Sequence, residues 1–114
     1  MTENEKRGHL MDAWKKIAQY VKDNYANVFP HEQEIEWKHE VYHKIAFMVT
    51  TDGTAYFCRG SHGWAYSPDE IYMRPGKNNV HYGGLEEIVL DWPKIKQILE
   101  MRAEAQNRIA NFTI

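Results

Sequence analysis

His39 and His43 stand four residues apart, with Glu40 directly after the first. On a helix, residues at that spacing rise about 6 Å and share a face, so two imidazoles can hold one zinc ion while the carboxylate takes a proton from its bound water. On a strand the same residues lie roughly 13 Å apart, too far for two ligands at about 2 Å each. A second set joins Cys58 to His43 and His62. If strand pairing brings them together, these side chains can ligate a metal, or the thiol can act as a nucleophile beside an imidazole base. Cys58 and His62 are also four apart, and in an extended segment they meet only if Gly60 bulges the chain. Both chemistries therefore depend on the elements that carry the residues.

The string His39-Glu40-Val41-Tyr42-His43 resembles the HExxH motif of zincin-like peptidases. The resemblance covers those five residues and implies a zinc-dependent hydrolase in which His39 and His43 are ligands and Glu40 is the base. The surrounding pattern points elsewhere. Ile35, Trp37, His39, Val41, His43, Ile45, Phe47 and Val49 occupy every odd position from 35 to 49, with charged or smaller residues at most even ones. Such alternation predicts a strand with one buried face. Asp52-Gly53, between Thr51 and Thr54, predicts a two-residue type I′ turn. Facing residues then sum to 105, pairing Phe47 with Cys58, Val49 with Tyr56 and His43 with His62. Ala46, Met48, Ala55 and Phe57 fall on the other side. In that register Cys58 reads as a core thiol, whose burial raises its pKa and makes it inert.

A chain of 114 residues with 43% hydrophobic and 13% aromatic residues fits one folded domain. Its net charge of −2 carries no basic footprint for nucleic acid. Cys58 is the only cysteine, so no internal disulfide forms. The polar start, Met1 to Glu5, is unlike a signal peptide, and no apolar run approaches the roughly 20 residues that cross a bilayer. A soluble protein of the cytoplasm, in a bacterial or phage-infected host cell, is the expectation. Asn111-Phe112-Thr113 matches the glycosylation sequon and is read as chance in that setting.

Residues 3 to 27 predict a helix with Leu10, Trp14, Ile17, Val21 and Tyr25 on one stripe, and Thr2 with Glu5 as its capping box. Residues 92 to 111 predict a second helix, capped by Asp91, with Pro93 in its first turn and Ile95, Ile98, Leu99, Ala105 and Ile109 on one side. Between the hairpin at 35 to 60 and that helix, Ile71 to Arg74 is read as a strand, Val80 to Tyr82 as a short strand, and Leu85 to Leu90 as a short helix. The fold expected is single-domain α+β: an N-terminal helix, a central antiparallel meander of three to four strands and a C-terminal helix.

The surface best suited to recognition is Arg59, His62, Trp64, Tyr66, Tyr72, Arg74, Lys77 and Tyr82, because arginine and the larger aromatics dominate binding hot spots. The same set can stack single-stranded bases. Trp14, Trp37 and Trp92 are read as core. No phosphate loop, dinucleotide fingerprint or cysteine pair is present, and no cofactor is expected. The reading is a small non-enzymatic binding or regulatory protein with a protein partner. An inhibitor of a bacterial defence system carried by a phage or mobile element, such as an anti-CRISPR, is the setting its size suggests. The alternatives are the zinc hydrolase and a single-stranded nucleic-acid-binding module, and a homodimer through a helix or sheet edge fits either.

Overall fold

The computed structural model describes residues 1–39, 43–61, 71–72 and 82–114. Its elements are α1 (Glu3–Tyr25), β1 (Gln33–His39), β2 (His43–Val49), β3 (Ala55–Ser61), β4 (Ile71–Tyr72) and α2 (Tyr82–Ala110). The strands form an antiparallel sheet in the order β1-β2-β3-β4, with both helices packed on one face. This is the α+β architecture the hydrophobic patterns predict.

The N-terminal helix follows its sequence closely. Thr2 caps it, its hydroxyl accepting from the Glu5 amide at 3.1 Å, and Gly8 sits inside the helix without displacing its start. Leu10, Trp14, Ile17, Val21 and Tyr25 are its buried residues, one every three or four positions as a helix with one core face requires. The helix stops at Tyr25 because Ala26 turns to extended backbone and Asn27 takes a positive φ of 64°, a conformation asparagine tolerates. Phe29 then folds back, fully buried, and stacks on Tyr25 with ring centroids 5.8 Å apart.

The alternating run at 35–49 is not one strand. It is divided between β1 and β2, which pair antiparallel, His39 opposite Lys44 and Ile35 opposite Phe47. Both strands carry their core residues at odd positions, so the division leaves the alternation unbroken and the sequence pattern does not reveal it. The register shifts between Glu36 and Lys38, and Trp37 falls at that shift. There its indole donates to Asp91 of α2 at 2.9 Å. Trp37→Phe keeps the packing and removes the donor, and should lower stability by about 1 kcal/mol, measured by urea denaturation.

The β2–β3 turn is one residue longer than a type I′ turn. Only Gly53, at φ 81°, has a positive φ in the loop, whereas a type I′ turn needs two such residues. Thr50 pairs with Thr54, and Asp52 is held by the Thr50 hydroxyl and by the Thr54 amide at 3.0 Å. Those hydrogen bonds also hold the Asp52 carboxyl below the usual carboxylate range, the Thr50 hydroxyl contributing most. Facing residues therefore sum to 104: Phe47 meets Phe57, Val49 meets Ala55, Ala46 meets Cys58 and His43 meets Ser61. One residue of slip exchanges the faces of β3. Ala55 and Phe57 join the core under the helices, while Ala46, Met48 and Tyr56 make a separate buried cluster.

The turn also docks on α1. The Asn27 amide donates to the Thr51 carbonyl at 2.6 Å, and a Cβ on Gly53 would lie 3.0 Å from Lys22 Cα and 3.1 Å from Ala26 Cα. Both the positive φ and the close helix backbone oppose a side chain. Gly53→Ala should cost about 2 kcal/mol, with a matching drop in melting temperature.

The second helix begins ten residues earlier than the 92–111 reading, so Asp91 and Pro93 are interior. Asp91 receives Trp37 instead of capping a terminus, and Pro93 lies exposed within the helix. Tyr82 is helical, not part of a strand, and Leu85 to Leu90 is helical as expected. Leu85, Ile88, Ile95 and Leu99 are fully buried. Ala105 and Ile109, expected on the same side, are exposed, because at 100° per residue they lie well off the line of Ile88, Ile95 and Leu99.

Candidate functional site

The two motif histidines come out in extended backbone. His39 ends β1 and His43 begins β2, so the helix on which HExxH places two zinc ligands is replaced at these positions by two strands. The pairing expected to join His43 to His62 is His43 with Ser61, and Cys58 lies opposite Ala46 rather than Phe47. Among the described residues no group of three or more histidine, cysteine, aspartate or glutamate side chains is placed to hold a metal ion.

Of the expected recognition surface, Arg59 lies in β3 opposite Ile45, Tyr72 in β4 opposite Phe57, and Tyr82 in the first turn of α2. Of the strand expected over Ile71 to Arg74, Ile71–Tyr72 is described and is a strand. His62, Trp64, Tyr66, Arg74 and Lys77 lie outside the described residues, as do Glu40, Val80 and His81.

The structure instead brings together a site whose two halves are about seventy residues apart in sequence. The helices α1 and α2 run in the same direction, tied near one end by Lys6 to Glu86 at 2.9 Å and farther along by the Tyr20 hydroxyl donating to Glu100 at 3.2 Å. Between them on the surface is an open groove of about 260 Å³ lined by Ala13, Lys16, Ile17, Tyr20, Val89 and Trp92. Ile17 is buried beneath it, while Tyr20, Val89 and Trp92 are half-buried. Tyr20 and Trp92 meet edge to face, centroids 5.7 Å apart, and Trp92 continues inward to Phe47 at 5.8 Å. The aromatic walls are therefore anchored to the core.

The rim is mixed in charge. Lys96 Nζ stands 4.9 Å from the centre of the Tyr20 ring and 3.9 Å from Glu100, and Lys16 is exposed at the mouth. Behind Tyr20, burial pushes the Tyr25 phenol above its ordinary pKa, reinforced by its hydrogen bond with Tyr20, so Tyr25 stays a neutral core neighbour of that wall.

A larger depression, about 450 Å³, lies between α1 and the β2–β3 turn. Its walls are mainly Lys15, Gln19, Lys22 and Thr54, and the one large apolar side chain there, Trp14, is already 6% exposed in the core. It offers an anchor little apolar area to cover.

The sequence pattern places Trp92 in the core and does not single out Tyr20. One signal was present: Tyr20 is a large aromatic off the buried stripe of α1.

Compared with protein-family models, with curated proteins and with solved structures, the chain matches none. Among the described residues no helix is long and apolar enough to cross a membrane.

Proposed function

We propose that the chain is a non-enzymatic binding protein that engages a protein partner through the groove between α1 and α2. The observation that carries this reading is the pair Tyr20 and Trp92, half-buried over an apolar floor with a charged rim. Tyrosine and tryptophan supply large contact area at low entropy cost, and a water-excluding apolar centre with a charged rim is the anatomy of a binding hot spot.

Size narrows the occupant. At about 260 Å³ the groove is below the roughly 300–1,000 Å³ typical of small-molecule pockets, and it suits one or two apolar side chains from a larger surface. Lys16, exposed at the groove wall, favours an acidic residue beside those anchors. Binding would act by occupying a surface of the partner. An inhibitor of a bacterial defence system carried by a phage or mobile element is the setting the chain's size suggests.

The test is retention on the immobilised protein after nuclease treatment. A discrete protein retained in stoichiometric amount supports the reading. Retention of nucleic acid alone, lost on nuclease treatment, would replace it with the nucleic-acid alternative.

A further inference from the structure

We infer that the groove reads a carboxylate: the Trp92 Nε1–H and the Lys16 ammonium together receive an aspartate or glutamate side chain carried on the partner's anchor. This rests on the groove as the binding site and narrows what enters it. Most polar groups around the groove are already engaged. The Tyr20 hydroxyl donates to Glu100 at 3.2 Å, and Lys96 divides its charge between the Tyr20 ring at 4.9 Å and Glu100 at 3.9 Å. The side chains of Ala13, Ile17 and Val89 bring only carbon. Two donors are left.

The first is the Trp92 indole. Trp37 donates its N–H to Asp91 at 2.9 Å, whereas among the described residues the Trp92 N–H meets no acceptor. It is not sealed in the core either, since the one buried side-chain polar atom without a partner among those residues is Glu87 Oε2. Trp92 is covered by Tyr20 on one side and by Phe47 inside, so its open part is the groove wall. The second donor is Lys16, exposed on the facing wall and in no ion pair among the described residues. An indole N–H donates and never accepts, and an ammonium does the same. The pair therefore has no use for another donor. A carboxylate gives each its own oxygen, and a hydrogen bond to an ionised acceptor is about twice as strong as a neutral one. An apolar stem lying over Val89 and Ile17 brings that carboxylate to the rim, where water still reaches it and desolvation costs little.

The test is a titration of the full chain with 3-phenylpropionate and, separately, with 3-phenylpropionamide, followed by the Trp92 indole N–H signal in nuclear magnetic resonance. The two probes share ring and stem and differ in charge. The expected result is a saturable downfield shift with 3-phenylpropionate, with a Kd on the order of 5 mM for so small a ligand, and binding of the amide about three- to fivefold weaker. Lys16→Met keeps the apolar stem, removes the charge, and should bring the two probes to equal affinity with the melting temperature unchanged. An indole signal unmoved by 3-phenylpropionate up to about 50 mM overturns the inference. So does equal affinity of the parent chain for the two probes, or a preference for the carboxylate that survives Lys16→Met. A protein retained on the immobilised chain beside a silent indole would keep the partner reading and remove the carboxylate.

Discussion

Phe57→Ala should remove about 3–5 kcal/mol of stability, the largest single effect expected in the chain. Phe57 is 1% exposed and packs edge to face against Trp14 with ring centroids 6.2 Å apart. It also joins the two helices through the sheet, because its ring lies against Gly84 in the first turn of α2. A Cβ on Gly84 would stand 2.5 Å from Phe57 Cε2 and 3.2 Å from Cζ. That contact inverts an ordinary expectation. Glycine to alanine within a helix usually gains about 1 kcal/mol, yet here Gly84→Ala should cost about 1–3 kcal/mol through overpacking. Phe57→Leu combined with Gly84→Ala should be less destabilised than the sum of the single changes, because the smaller side chain leaves room for the added methyl. Urea denaturation of the four proteins measures the coupling. A stabilising Gly84→Ala would show that the ring does not sit where the structure places it.

Gly84 illustrates what the sequence makes legible and what it hides. The stripe from Leu10 to Tyr25 is legible because it recurs at helical spacing and each member is buried. The strands of the 35–49 run are legible as strands, but their division is not, since core residues stay at odd numbers on both sides. The turn at Asp52-Gly53 is legible, whereas its length depends on Thr50 and Asp52 side chains competing for the backbone, and the resulting slip of one residue re-sorts β3. The start of α2 is hidden because Gly83, Gly84 and Pro93 read locally as breakers. The glycine at 84 answers to a ring twenty-seven residues earlier, a contact no local pattern encodes. The groove is hidden for the same reason: Tyr20 and Trp92 become a pair only when two distant helices lie side by side.

The second large effect is on binding. Ala13→Arg should lower the affinity for the protein partner at least tenfold while leaving the melting temperature close to the parent value. Ala13 is half-buried at the groove wall, so a long side chain there occupies the space of the partner's anchor, and arginine is a good helix former that can extend into water. Lys16→Glu should weaken an acidic partner more modestly, with a difference that shrinks as salt is added. The pair separates the two macromolecular readings. A nucleic acid would be held more tightly by Ala13→Arg, which adds a cation, and its affinity would fall steeply with salt. A protein anchored in the groove responds in the opposite direction to Ala13→Arg. Ile109→Lys, exposed on the other side of α2, should leave partner affinity unchanged.

Photo-crosslinking from position 16, with a photoreactive amino acid in place of Lys16 at the mouth of the groove and a control at Asn107 on the far end of α2, asks most directly what the groove touches. The account predicts a discrete protein adduct from position 16 that disappears when Ala13→Arg is added, with no such adduct from position 107. Equal labelling from both positions, or a nucleic-acid adduct alone from position 16, would contradict it.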